Sequence, residues 1–155
     1  MRRWAATAIG KFGADAGDKV PSLQGALSDK YEQVREAAAE ALGEIGPAAK
    51  TSVPALLGVL KDRDGSVRLK SAVALSRIDP QAKGIVTALT EAVKDKDERV
   101  RQACASSLGQ IGGAAKAAVP VLIEALKDED PSVRAGAAEA LKKIDPEAAR
   151  KAGVP

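Results

Sequence analysis

The chain has 155 residues, 45% apolar and only 2% aromatic, with 29% charged and a formal net charge of +3. One cysteine and no histidine exclude an intrachain disulfide and a zinc site of Cys and His ligands. No apolar run approaches the roughly 20 residues needed to span a bilayer, and Met1-Arg2-Arg3-Trp4 lacks the apolar stretch of a secretory signal, so a cytoplasmic setting is expected. Segments 1–19, 20–52, 53–85, 86–118 and 119–155 carry +2, −2, +3, +1 and −1. Alternating sign gives no continuous basic track, so the pI near 9.0 is a weak reason to expect nucleic acid.

Val-Arg recurs every 33 residues, at Val34-Arg35, Val67-Arg68, Val100-Arg101 and Val133-Arg134, and Met1-Arg2 extends the series backward. Val20, Val53, Val86 and Val119 keep the same step. Such a period means one supersecondary unit stacked repeatedly, because a single unit cannot bury its own apolar face. The chain reads as a single domain over 1–155, comprising a half repeat (1–19), full repeats at 20–52, 53–85, 86–118 and 119–151, and 152–155 as the start of a further helix or a tail.

Residues 1–12 align with the second helix of a repeat whose first helix is missing, with Ile9 and Phe12 at core positions. The expectation is a segment of a longer array, or a short protein that covers this N-terminal face by self-association. In the repeat 20–52, Tyr31 stands where later repeats place an aspartate, which weakens the helix cap there.

The repeat 53–85 shows the unit most clearly. Val53 to Leu60 predicts a short apolar helix with Pro54 in its first turn, Lys61–Asp64 a turn, and about Ser66 to Ile78 a second helix. Asp64, and Asp97 and Asp130 after it, are N-caps. The second helix carries the stripe Val67, Ser71, Ala74, Leu75 and Ile78, matched by Val34, Ala38, Ala41, Leu42 and Ile45 and by the equivalents in the last two repeats. Helix pairs joined by short turns and repeated head to tail build an all-α solenoid of stacked antiparallel pairs. Val154-Pro155 resembles the opening of one more first helix.

The stretches Val53–Pro80 and Val119–Pro146 resemble HEAT repeats of the short, phycobilin-lyase-like type, and the resemblance covers essentially the whole chain. The signatures of ankyrin and tetratricopeptide repeats, which have similar periods, are absent. The resemblance implies a right-handed superhelix whose second helices line the concave surface. It also raises an accessory role in tetrapyrrole (bilin) attachment, although no pocket-forming aromatics or histidine support a bilin site.

Asp29, Asp62, Asp95 and Asp128 stand five residues before each Val, and Arg35, Arg68, Arg101 and Arg134 one residue after. Repetition in every unit makes these a structural Asp–Arg ladder, since an active site would occur once. Cys104 replaces alanine or serine on the stripe and reads as a small buried thiol, with no histidine to serve as its base. Gly10, Gly43 and Gly109 follow Ile9, Leu42 and Leu108 and allow close helix approach. No catalytic, metal-binding or cofactor-binding residue is assigned.

Positions that vary while the frame stays fixed are the candidates for binding. Two residues after the Val they are Arg3, Glu36, Leu69, Gln102 and Ala135; six after it, Thr7, Glu40, Val73, Ser106 and Glu139. Helical geometry turns both rows away from the apolar stripe. Leu69 and Val73 form an exposed i, i+4 apolar pair flanked by Lys70 and Arg77, and Trp4 lies one position over. The expected partner-binding set is Arg3, Trp4, Glu36, Glu40, Leu69, Lys70, Val73, Arg77, Gln102 and Ser106, for a non-enzymatic scaffold holding a protein or peptide. The alternative, by resemblance to HEAT-like DNA glycosylases, is phosphate contact through Arg2, Arg3, Lys11, Lys70 and Arg77. The interleaved Glu36, Glu40, Glu44 and Glu139 count against it.

Overall fold

The computed structural model describes residues 2–82 and 84–155; Met1, placed in register with Val34 above, lies outside them. The chain groups into two compact units, Met1–Pro80 and Gln81–Pro155. The first holds α1 (Arg2–Gly10), α2 (Val20–Ala26), α3 (Glu32–Ile45), α4 (Val53–Val59) and α5 (Gly65–Ile78). The second holds α6 (Ile85–Ala92), α7 (Glu98–Ile111), α8 (Val119–Ala125), α9 (Pro131–Ile144) and α10 (Pro146–Lys151). There is no strand among the described residues, and the fold is an all-α solenoid of helix pairs.

Each pair couples a first helix of seven or eight residues to a second helix of 14. The short first helices α2, α4 and α8 begin at Val-Pro, where a missing N–H costs no hydrogen bond. Asp64 accepts from the Ser66 and Val67 N–H groups and Asp130 from those of Ser132 and Val133. Tyr31 makes no side-chain cap, as its residue type requires. The stripe is buried as the periodicity predicts, including Leu42 and Leu75 in the first unit and Cys104, Leu108 and Leu141 in the second.

Small residues let the second helices approach closely. A Cβ added to Gly43 on α3 would lie 2.9 Å from Ala74 Cα on α5, and one on Gly109 of α7 equally close to Ala140 Cα on α9. Gly10 on α1 stands in the same relation to Ala41 on α3.

The Asp–Arg ladder forms complete rungs inside each unit. Arg35 donates through Nε and Nη2 to the Asp62 carboxylate at 2.7 and 2.8 Å, and through Nη1 to the Asp29 carbonyl at 2.9 Å. Arg101 does the same to Asp128, both at 2.8 Å, and to the Asp95 carbonyl at 3.0 Å. Asp62 and Asp128 also accept from the N–H groups of Asp64 and Asp130. Each arginine therefore closes the turn of its own repeat and holds the turn of the next.

The second helices leave by two routes. Gly46 and Gly112 take φ of 68° and 69°, a region closed to most side chains, and lead into 3-10 segments. Asp79 and Asp145 are extended instead, as a residue preceding proline prefers. The fully buried place that Ser52 and Ala118 fill at the end of two 3-10 segments is taken by Ile85 at the start of α6.

Ser52 Oγ is buried with no hydrogen-bond partner. A buried hydroxyl without a partner carries a desolvation cost, and alanine already occupies the equivalent place at 118. Ser52→Ala is expected to stabilise the protein by about 1 kcal/mol, read as a higher urea midpoint with an unchanged slope. A loss of stability would show that the hydroxyl has a partner in solution.

The two ends depart from the repeat pattern. Phe12 is 69% exposed, whereas Ile45 in the same register is 2% exposed, because no described helix covers Phe12. At the other end the chain turns back on α10. Asp145 caps α10 by accepting from the Glu147 and Ala148 N–H groups, Gly153 turns at φ 80°, and the N–H groups of Gly153 and Val154 return to the Arg150 and Ala149 carbonyls. This is a helix-ending Schellman arrangement, and it buries Val154.

Candidate interaction surface

The outward row of the first unit lies on α1, α3 and α5. Arg3 is exposed, Glu36 and Glu40 are half-buried, and Leu69, Lys70 and Val73 are half-buried beside exposed Arg77. The expectation that Leu69 and Val73 stand exposed is therefore corrected. The Gly43–Ala74 approach draws α3 alongside α5 and shields their inner edges.

That approach also creates a pocket of about 100 Å³ lined by Glu40, Gly43, Leu69, Lys70, Val73, Ala74 and Arg77. Five of the expected binding residues thus meet at one place. Lys70 Nζ lies 2.5 Å from Glu40 Oε1, an ion pair that bridges the two helices along the rim. Arg77 makes no ion pair among the described residues.

The remaining candidates are not part of this pocket. Arg3 and Trp4 sit on α1, where Trp4 is 76% exposed. Gln102 and Ser106 lie on α7 in the second unit, facing Gly136 of α9; a Cβ there would come within 3.5 Å of both side chains. Ser106 is consequently half-buried, while Gln102 remains exposed.

Two features escaped the sequence reading. A cleft of about 310 Å³ opens at the N-terminal end of the first unit between α1, α2 and α3, with Ala5, Ile9, Leu23 and Ala26 among its walls. Ala5 stands in the stripe register of Ala38, and that was the available signal. Tyr31, noted only as a poor cap, is half-exposed with Lys30 Nζ 4.9 Å and Arg2 Cζ 5.7 Å from its ring centre.

Of the proposed phosphate contacts, Arg2 pairs with Asp29 at 3.2 Å and Lys70 with Glu40. No cluster of metal-ligating side chains occurs among the described residues, and no described helix is long and apolar enough to cross a membrane.

The profile described as HEAT repeats matches residues 1–76, 53–118 and 86–152. The chain belongs to the HEAT-repeat family. Among solved structures, this HEAT-repeat chain is similar to the CpcE–CpcF complex of phycocyanin lyase from Nostoc sp. PCC7120. The TM-score is 0.78 at 26% identity, covering 94% of this chain and 60% of that one. The HEAT chain thus spans less than two thirds of that lyase chain. It also shares its fold with an engineered protein, at TM-score 0.70 and 23% identity, covering 97% of this chain and 78% of that one. A designed armadillo repeat protein in complex with the peptide (KR)4 has the same fold, at TM-score 0.70 and 18% identity over 98% and 80% of the two chains. No curated protein matches the sequence significantly.

Proposed function

We propose that this HEAT-repeat chain is a non-enzymatic, cytoplasmic scaffold that holds a protein or peptide partner on the surface formed by its second helices. The observation that carries the reading is the convergence of Glu40, Leu69, Lys70, Val73 and Arg77 on one pocket. These are positions that vary between repeats, whereas the ladder and stripe residues are engaged in holding the fold. The armadillo relative in complex with a peptide, and the lyase relative whose subunits form a complex, support binding as the use of this architecture.

The double variant Leu69→Glu/Val73→Glu is expected to lose captured partners while keeping the wild-type helical circular dichroism. Retention of the same partners by the folded double variant sinks the assignment of this surface. Exposed Trp4 on α1 and exposed Phe12 just after it support a second contact, self-association through that end of the first unit. Sedimentation of wild type and Trp4→Glu over a range of concentrations tests it.

The similarity to phycocyanin lyase subunits favours one rival, an accessory role in bilin attachment. A shift of bilin absorbance on mixing with the chain would support it, and an unchanged spectrum would remove it.

A further inference from the structure

We propose that the pocket between α3 and α5 takes one aliphatic side chain of leucine size from an extended peptide, whose carboxylate side chain two residues further on pairs with Arg77. The inference rests on the scaffold reading and names the chemistry of its partner.

Size sets the first part. A dry cavity of roughly 150 Å³ holds benzene, so a space of about 100 Å³ is a closer match to one branched aliphatic group than to a ring with its linking methylene. The walls agree: Leu69 and Val73 form one side as an i, i+4 pair, and Ala74 and Gly43 contribute little bulk. Transfer of apolar surface into such a site supplies the anchoring energy.

Charge sets the second part. Glu40 and Lys70 neutralise each other across the rim. Arg77, exposed one turn beyond Val73 on α5, is the lining charge that makes no ion pair among the described residues. The pocket therefore presents a positive charge outside any ion pair, at Arg77, beside the apolar part of the lining that Leu69 and Val73 supply. An anionic group fits that end, and a guanidinium or ammonium does not.

Spacing sets the third part. The four residues from Val73 to Arg77 advance about 6 Å along α5. In an extended chain, side chains two residues apart share a side and lie about 6.6 Å apart. A docking helix would present a stripe of several apolar side chains to a continuous groove. Here the apolar lining is confined to Leu69, Val73, Ala74 and Gly43 in one pocket that the Glu40–Lys70 pair also lines, which favours an extended segment of the form Leu-x-Glu.

The test uses the intact chain with methyl-labelled leucine and valine, titrated with short peptides containing Leu-x-Glu, Leu-x-Lys, Ala-x-Glu or Phe-x-Glu. The expected result is that Leu-x-Glu shifts the Leu69 and Val73 methyl signals and the other three bind about fivefold or more weakly, the loss of one exposed ion pair or one apolar anchor. Arg77→Glu, an exposed substitution that leaves the fold intact, is expected to reverse the preference between Leu-x-Glu and Leu-x-Lys. Equal binding of both charges, stronger binding of Phe-x-Glu, or no methyl shift with any peptide overturns the proposal. None of these outcomes touches the scaffold reading, which fails only if the folded Leu69→Glu/Val73→Glu variant keeps its captured partners.

Discussion

Replacing Gly43 by leucine is expected to destabilise the first unit by about 3 kcal/mol or more, because the new side chain meets backbone. Its Cβ would lie 2.9 Å from Ala74 Cα and 3.1 Å from Ala74 Cβ, neither of which can rotate away. The helices must separate, and separation opens the buried stripe of Leu42 and Leu75 that runs beside the contact. The intrinsic helix preference of leucine over glycine offsets less than about 1 kcal/mol of this. Gly58→Ala on α4 is the control with the opposite sign. Nothing lies within 4 Å of that position, so alanine is expected to stabilise by about 0.5–1 kcal/mol. Urea titrations of both variants read the contrast directly. A neutral Gly43→Leu would mean that the α3–α5 spacing is soft. It would also remove the basis for the pocket formed there.

Arg101→Ala is expected to cost about 2–3 kcal/mol, the range for removing one partner of a partly buried, multiply hydrogen-bonded ion pair. The substitution strips two charge-assisted bonds from the Asp128 carboxylate and one from the Asp95 carbonyl. It leaves a carboxylate whose side chain is only 14% exposed. The exposed pair Lys94–Glu124, with both side chains 66% exposed, is expected to show no measurable loss when either partner is replaced. A double-mutant cycle on Arg101 and Asp128 should return a coupling well above that of the surface pair.

The same rung sets an acid dependence. The Arg101 hydrogen bond holds the Asp128 carboxyl below its ordinary value against the opposing effect of burial, with the Asp130 N–H adding to the lowering. Burial pushes Asp62 up, but the Arg35 hydrogen bond, the Asp64 N–H and the nearby positive charges together outweigh it, so Asp62 also lies low. A carboxylate depressed in the folded state contributes stability that is present above its unfolded value of about 3.9 and lost as pH falls through the folded value. Wild-type stability should therefore decline below about pH 4 more steeply than that of Asp128→Asn, and the gap between them should narrow toward acid. Parallel curves would show that the rung carries no proton linkage.

The ladder was legible in the sequence because a strict period leaves no other choice. When every repeat places an aspartate five residues before a valine and an arginine one after it, the rung of one unit, Arg35–Asp62, has its equivalent in the other, Arg101–Asp128. The caps at Asp64 and Asp130, the weak start at Tyr31 and the close packing at Gly43 and Gly109 were legible for a related reason. Each depends on a residue type and its position within one repeat. The outward row was identified in position but misjudged in exposure. Helical phase says which way Leu69 and Val73 point from their own axis, but not how near the neighbouring helix comes.

The 33-residue period by itself determined the helix pairs, their buried stripe and the residues that tie turn to turn, since local helical geometry and repetition together leave one way to cover the apolar face. Only the tertiary structure decided where that scheme gives way. Phe12 keeps its core register yet stands in solvent, because burial needs a neighbour that the residue cannot supply. Val154 is folded back against α10 by the turn at Gly153, a contact that the repeat period does not contain. The pocket at Leu69, Val73 and Arg77 exists because two helix axes approach at Gly43 and Ala74, and an interaxial distance is a property of the packed pair rather than of either helix.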